Sequence, residues 1–165
     1  MKQDVLLAMK CQVNQINMLS NDELFMLEAL KEAELAYKED EIPVGAIIVI
    51  DNKIVARGRN TRNSDHLVSH HAEINAIEAY ERQKSAMQLD DATIYVTLEP
   101  CPMCSYAIMD SHIKRLVYGA SDPKRGAISN LDIFNKSLGS KVEVCGNIKQ
   151  EECSVLLKEF FKKLR

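Results

Sequence analysis

The chain has 165 residues, a net charge of −3, five cysteines and no tryptophan. Its length fits one domain, and its composition, 46% apolar and 27% charged, excludes a largely disordered chain. The longest uncharged apolar run, 42–50, is too short to cross a bilayer, and the weakly acidic balance argues against a generic nucleic-acid coat, although it allows a local basic patch.

The cysteine count and the N-terminus both indicate a compartment. Five is an odd number, whereas a secreted disulfide framework normally has an even one, so a reducing compartment is the simpler interpretation. The apolar stretch 5–9 is shorter than the core of a signal peptide, and no small-residue cleavage site follows it. We therefore expect a cytoplasmic protein.

The predicted elements begin after an N-terminal extension, 1–20, of uncertain structure, in which Met18 is a hypothetical alternative start. A helix is predicted over 21–38, because Asn21 can cap it and apolar residues recur at helical spacing. The later predicted elements are, in order, strands at 44–50 and 53–58, a loop at 60–69, a helix at 71–84 with Ile74, Ala76 and Ile77 facing the core, a strand at 93–97, a helix at 102–111, a strand at 113–118, a short helix near 124–135, a strand at 141–145 and a helix at 149–164.

This order of elements predicts an α/β fold in one domain, 21–165. The first two strands form a hairpin and supply the antiparallel part. Each later strand follows a crossover that contains a helix, which favours parallel pairing. We expect a five-stranded mixed sheet between two layers of helices.

The residues that carry chemistry are His71 and Glu73, in a His-x-Glu pair, and Cys101 and Cys104, in Pro-Cys-x-x-Cys. Two thiolates and one imidazole suit zinc, and three protein ligands leave the fourth tetrahedral position for water. Glu73 lies near enough to take a proton from that water, whose pKa zinc brings to about 7. The same carboxylate can return protons to a ring nitrogen and to leaving ammonia.

Other interpretations of these residues stay open. Cys145 or Cys153 could supply a fourth ligand and make the zinc site structural, and a lone Cys-x-x-Cys can be redox-active or simply buried. The joint occurrence of both motifs, at strand-to-helix junctions, favours the catalytic site, and this combination is the pattern of zinc deaminases.

The chain resembles the bacterial tRNA-specific adenosine deaminase family over about residues 22–164. The resemblance rests on 42–46, Asn60, 71–74, 92–104, 117–120, Asp122, 126–127 and Phe160-Phe161 with the basic residues that follow it. It implies a three-layer α/β/α cytidine-deaminase-like fold, a homodimer, and conversion of adenosine to inosine at the wobble position of a tRNA anticodon.

The resemblance also implies roles for single residues. His71, Cys101 and Cys104 would hold one zinc ion per subunit, and Glu73 would shuttle protons during attack on C6. Asn60 would contact the base or ribose, although a turn-forming Asn after a strand is an equally good explanation. Asp122 would lie in a substrate-facing loop.

The chain departs from the family just before the His-x-Glu motif. Leu67 and Val68 stand where many members have Asp-Pro, and His70 occupies a position that is usually small. These changes put the geometry of the substrate loop in doubt, but not the zinc ligands. We interpret His70 as a loop histidine, and His66 and His112 as structural.

Basic residues cluster where an RNA loop would need them, and the tRNA anticodon stem-loop is the expected partner, with no membrane. They are Arg57, Arg59, Arg62, Lys124, Arg125, Lys162, Lys163 and Arg165. Solvated surface charge explains any one of them equally well. Two further hypotheses are a deaminase of free guanine, cytosine or a nucleotide, and a non-catalytic zinc-stabilised binding module, which would not need Glu73.

Overall fold

The computed structural model of the chain describes residues 19–85, 87–136 and 140–165. The predicted extension up to residue 18, with Met18 as a start, lies outside the described residues. The elements are, in order, α1 (Asn21–Lys38), β1 (Gly45–Ile50), β2 (Lys53–Arg59), α2 (Ala72–Lys84), β3 (Thr93–Leu98), α3 (Pro102–Asp110), β4 (Arg115–Ala120), α4 (Ala127–Leu131), α5 (Ile133–Lys136), β5 (Glu143–Cys145) and α6 (Gln150–Lys163).

Helix α1 begins at Asn21, as predicted, but its N-cap residue is one position earlier than the sequence predicted. Ser20, not Asn21, is the N-cap: its hydroxyl accepts a hydrogen bond from the backbone N–H of Glu23 over 3.2 Å. The Glu23 carboxylate in turn accepts from the backbone N–H of Ser20 over 2.8 Å. This reciprocal capping box satisfies two otherwise unpaired donors, which a lone Asn21 cap does not.

The five strands form one mixed sheet, as predicted, and their order in it is β2-β1-β3-β4-β5. Strand β1 pairs antiparallel with β2 and also with β3, whereas β3, β4 and β5 pair in parallel. The crossover through α2 places β3 beside β1, so β3 does not pair with β2, the strand that precedes it in the chain. Strands β2, β3, β4 and β5 therefore point the same way, and their carboxyl ends share one edge of the sheet.

Helices cover both faces of the sheet and give the predicted three layers. Neighbouring residues of β1 show the division, because successive side chains of a strand point to opposite faces. Ile47 packs with Met26 of α1 and Cys153 of α6, and Ile48 packs with Ala76 of α2 on the other face. Ile74, predicted to face the core, is only half-buried and belongs to neither buried cluster of the described residues.

The remaining differences from the predicted elements are at boundaries. Strand β4 lies two residues later than predicted, which places Ser121 and Asp122 directly after its carboxyl end. Strand β5 is shorter than predicted, and the predicted helix near 124–135 is two short helices, α4 and α5. Within the described parts of the chain, none of the helices has an apolar stretch of the length that crossing a membrane requires.

Candidate metal and substrate site

A cavity of about 620 Å³ opens at the sheet edge where the carboxyl ends of β2, β3 and β4 meet. Ligands of open α/β sheets gather at such an edge. Its lining residues are Ile42, Val44, Asn60, Arg62, His71, Ala72, Glu73, Leu98, Glu99, Cys101, Ser121, Asp122, Lys124, Arg125, Leu157, Phe161, Leu164 and Arg165. The cavity therefore contains most of the residues that the sequence singled out.

A metal-ligand group lies at this edge of the sheet and consists of His71, Cys101 and Cys104. The Nδ1 atom of His71 lies 3.6 Å from Sγ of Cys101 and 3.5 Å from Sγ of Cys104, and the two sulfurs are 3.7 Å apart. In tetrahedral zinc sites the bonds are about 2.3 Å to sulfur and about 2.0–2.1 Å to nitrogen. These bonds require roughly 3.6 Å between the nitrogen and each sulfur and roughly 3.8 Å between the two sulfurs. The three residues therefore fit a zinc ion.

Two helix starts position the three ligands. His71 is the N-cap of α2 and Cys101 is the N-cap of α3, both with extended backbone, and Cys104 lies in the first turn of α3. The positive end of the α3 dipole favours thiolate over thiol. Gly58 lets α2 approach β2 closely, because a Cβ there would lie 2.3 Å from the backbone nitrogen of Ala76.

The electrostatics of the group favour a thiolate at Cys101. Hydrogen bonding with Cys104, and next with the His71 ring, lowers the pKa of Cys101 to about 4. Hydrogen bonding to Cys101, followed by burial, raises the pKa of Cys104. Contact with Cys101 raises the pKa of His71. One thiolate is thus already formed at neutral pH, which is the state that binds metal.

Glu73 lies in the first turn of α2, beside the ligand group, with only 4% of its surface exposed. Burial is the main cause that raises the pKa of Glu73 to about 7, and the charge of Cys101 acts in the same direction. A carboxyl with a pKa near the working pH is suited to move protons in both directions.

The cysteines considered as a fourth ligand lie elsewhere. Within the described residues, the metal-ligand group includes neither Cys145 nor Cys153. Cys153 is buried with Met26 on the opposite side of the sheet, where a Cβ on Gly119 would lie 2.4 Å from its Sγ. The structural interpretation that used either residue to close the site is therefore wrong.

Asn60 follows β2 and lines the cavity, with 5% of its surface exposed. Its Nδ2 donates to Oε2 of Glu41 over 3.2 Å, and Glu41 is itself 1% exposed. No sequence pattern singled out Glu41. In the sequence, Glu41 is an acidic residue directly before the apolar segment 42–46, and that position alone does not indicate that the residue is buried.

Asp122 lies at the cavity after β4 and builds the loop that follows. Its Oδ1 accepts from the backbone N–H groups of Lys124 and Arg125, each over 3.0 Å. The Asp122 N–H donates to Oε2 of Glu99, a residue 2% exposed at the end of β3. Glu99 was also missed, although it stands directly before the Pro-Cys-x-x-Cys motif.

The loop that departs from the family lies on the surface beside His71. Leu67 and Val68 are exposed, Val68 to 73%. His70 is a loop histidine, as expected, and its Nδ1 lies 2.7 Å from Oδ2 of Asp65. His66 has a φ of 55° in a turn, while His112 lies far along the chain and faces Asp90 at 3.3 Å.

The eight residues of the expected basic cluster divide into four that line the cavity, three that form ion pairs, and the exposed Lys162, which does not line the cavity. The four that line the cavity are Arg62, Lys124, Arg125 and Arg165. Arg57 and Arg59 instead form ion pairs, with Glu28 over 2.7 Å and with Glu39 over 2.8 Å. Lys163 pairs with Asp40 over 2.7 Å. Only the first group faces the site as available positive charge.

Comparisons with known proteins all match the chain to deaminases. Residues 20–165 match the MafB19-like deaminase family. The tRNA-specific adenosine deaminase of Rickettsia bellii (strain RML369-C) is 47% identical over 144 residues, which are 85% of this chain and 99% of that protein. The tRNA-specific adenosine deaminase of Bacillus subtilis (strain 168) is 39% identical over 150 residues, which are 89% of this chain and 92% of that protein.

A solved structure gives the same result for the fold. A chain from a study of A-to-I editing by tRNA:A34 deaminases at the wobble position of transfer RNA superposes with a TM-score of 0.77 and 38% identity. The match covers 81% of this chain and 98% of that chain. The similarity thus extends over nearly the whole of each relative.

Proposed function

This chain belongs to the family of tRNA-specific adenosine deaminases, and on that premise we propose that it hydrolyses adenosine to inosine at the wobble position of a tRNA anticodon. The observation that carries the proposal is the buried carboxyl of Glu73 beside three side chains at zinc-ligand spacing, inside a cavity large enough for a nucleoside. A zinc site that only stabilises the fold needs neither the open position nor the carboxyl.

His71, Cys101 and Cys104 would hold one zinc ion per subunit. When bound, the ion supplies a polarised water with a pKa of about 7 at its open coordination position. The chain contributes the rest: the two helix starts fix the ligands, and Glu73 is buried beside them.

Glu73 is the proposed catalytic residue. Its carboxylate takes a proton from the attacking water, whose oxygen bonds to C6 of adenine. The carboxyl then delivers one proton to ring nitrogen N1 and, after taking the second proton of the water oxygen, another to the amino nitrogen. The C6–N bond breaks, ammonia leaves and the carbonyl of inosine remains. Without a metal, burial raises the pKa of Glu73 to about 7. A cation beside the carboxyl lowers this pKa, which favours the carboxylate that takes the first proton.

Residues that line the cavity are proposed to contact the substrate. Asn60 would contact the target nucleoside from one wall of the cavity, and the Asp122 loop would form the other wall. Arg62, Lys124, Arg125 and Arg165 would neutralise phosphates of the anticodon loop. The target base must leave its stack to enter the cavity, as in other recognition of RNA loops.

The family resemblance supports two further parts of the proposal. We propose that the protein acts as a homodimer and that it works in the cytoplasm, where its tRNA substrate is. The deaminase domain is proposed to be 21–165, with Ser20 as the cap of its first helix.

Incubation with an anticodon stem-loop that carries adenosine at the wobble position tests this function. Inosine, measured by mass spectrometry of the digested RNA, is the expected product. Free guanine, free cytosine and cytidine are assayed in parallel, and activity confined to one of them would replace the RNA substrate by a small molecule.

A further inference from the structure

Glu41 is a buried carboxylate that joins Asn60, in the cavity wall, to the following loop at 63–64. It lies between α1 and β1, with 1% of its surface exposed. Its Oε1 accepts from the backbone N–H of Asn63 over 2.8 Å and from the N–H and hydroxyl of Ser64 over 2.7 and 3.1 Å. Its Oε2 accepts from Nδ2 of Asn60 over 3.2 Å.

These contacts determine how the Asn60 amide is oriented. An ionised carboxylate accepts hydrogen bonds and donates none, so only the NH₂ end of the amide can face Glu41. The backbone N–H of Asn60 is already bonded to the carbonyl of Val44 over 3.0 Å, which fixes the main chain at this point. The carbonyl end, Oδ1, is left for the cavity.

The Oδ1 atom of Asn60 is open to a ligand. Among the described residues no donor bonds to it, and it is not one of the fully buried unpartnered side-chain atoms, although Asn60 as a whole is 5% exposed. An acceptor at the wall of a narrow cavity is best satisfied by a donor of the molecule that fills the cavity.

We propose that Glu41 is a positioning residue: it holds the Asn60 amide with its carbonyl toward the cavity, so that this wall accepts a hydrogen bond from a donor of the target nucleoside. The inference rests on the proposed function, because the nucleoside occupies the cavity. Within an RNA strand, adenosine offers two such donors, the ribose 2′-hydroxyl and the 6-amino group.

Replacement of Glu41 by Gln should reverse the orientation of the Asn60 side-chain amide. The three donors of Asn63 and Ser64 keep the Gln oxygen on their side, so its NH₂ group faces Asn60. Asn60 then turns its own Oδ1 toward the Gln side chain and presents its NH₂ group to the cavity. This NH₂ group faces the donor of the target nucleoside, so no hydrogen bond forms between them. We expect kcat/KM for the stem-loop to fall about tenfold or more, with the loss mainly in KM.

A second substitution restores the acceptor. In Asn60→Asp alone, two carboxylates face each other and activity falls. In the double variant Glu41→Gln/Asn60→Asp, the Gln NH₂ donates to one oxygen of Asp and the other oxygen faces the cavity, with no change in net charge. We expect the double variant to return to within about threefold of wild-type kcat/KM. A purely structural role of Glu41 predicts losses that add instead.

Substrate variants identify the donor. Glu41→Gln is compared with wild type on stem-loops that carry adenosine, 2′-deoxyadenosine or 6-methoxypurine ribonucleoside at the wobble position. The loss is expected to disappear for the one substrate that lacks the donor. An equal loss on all three, or none, would overturn the proposal. If Glu41→Gln fails to fold, Asn60→Ala, which leaves Glu41 and its backbone donors in place, must show the same donor-dependent loss.

A measurement without substrate separates this inference from the proposed function. In the zinc-loaded wild type, the Asn60 side-chain NH₂ should exchange slowly with solvent by NMR, and in Glu41→Gln it should exchange quickly. Equal exchange rates contradict the inference even when wild type makes inosine. Wild type that makes no inosine contradicts the proposed function, and the exchange rates still decide the orientation of the amide.

Discussion

The carboxylate of Glu99 accepts a hydrogen bond from the backbone N–H of Asp122 over 2.8 Å. The same carboxylate also accepts from the backbone N–H groups of Ile128 and Ser129, over 3.0 and 2.7 Å. It therefore ties the segment between β3 and α3, which contains the ligand Cys101, to the loop after β4. Gly126 leaves room for it, because a Cβ there would lie 2.2 Å from the Glu99 carboxyl carbon.

Glu99→Gln should loosen the Asp122 loop without removing the metal. One carboxylate oxygen becomes an NH₂ group that faces backbone donors, which should cost about 1–3 kcal/mol of unfolding free energy. We expect KM for the stem-loop to rise while zinc content stays at the wild-type level. Chemical denaturation and metal analysis check this, with the exposed Glu159→Gln as the matched control. Zinc loss with an unchanged KM would contradict the assigned role.

The sequence was sufficient for the chemistry of the metal group. Two of its three ligands lie within one helical turn, and the third opens another helix, so local spacing already carried the geometry. Sequence patterns also placed the strands and the four longer helices to within a few residues, whereas the one helix predicted near 124–135 is two short helices. A group of one imidazole and two thiols that fits zinc was predictable because Cys and His donors have narrow chemical preferences.

The buried carboxylates could not be predicted in the same way. Glu41 and Glu99 are buried only because backbone N–H groups distant in sequence converge on them, and no local pattern records that. The pairing of Arg57 with Glu28 likewise depends on α1 packing over β2. The antiparallel pairing of β3 with β1 depends on the path of a crossover, which composition does not determine.

Cys104→Ser should abolish both zinc binding and deamination. A serine hydroxyl is a far poorer zinc ligand than a thiolate, and only three ligands are available within the group. Cys145→Ser is the control, because Cys145 lies outside the group and should leave zinc content and activity unchanged. Metal analysis of both purified variants decides the matter. Zinc loss in Cys145→Ser would place a fourth ligand where the structure does not.

The contribution of Glu73 to the stability of the metal-free protein should become more unfavourable as pH rises from about 4.5 to above 7. The pKa of Glu73 rises from 4.5 to about 7 on folding, because burial disfavours its charged form. Below pH 4.5 the carboxyl is neutral in both states, and above pH 7 the folded state must hold it ionised.

The size of this effect is measured against a variant that cannot ionise. Metal-free wild type should lose on the order of 2–3 kcal/mol relative to metal-free Glu73→Gln between pH 5 and pH 8. Urea denaturation at each pH, in the presence of a chelator, gives the difference. A constant difference across this range would show that Glu73 titrates in the folded protein as it does in the unfolded chain.

Arg125 should contribute to RNA binding through phosphate contact. Arg125→Ala removes a positive charge from the cavity wall and should weaken stem-loop binding regardless of loop sequence. The slope of log Kd against log salt should become shallower by about one. Arg82→Ala is the control, since Arg82 is exposed and paired with Glu78 on the far part of α2. Equal effects of the two substitutions would assign them to overall charge.

The position of inosine in a complete anticodon stem-loop tests the central claim most directly. A stem-loop with adenosines at the wobble position and at neighbouring positions is treated with zinc-loaded wild type and with Glu73→Ala, and inosine is located by mass spectrometry of the fragments. We predict inosine at the wobble position alone with wild type, and none with Glu73→Ala although it retains zinc. Inosine at other positions, no inosine at all, or full activity of Glu73→Ala would contradict the account.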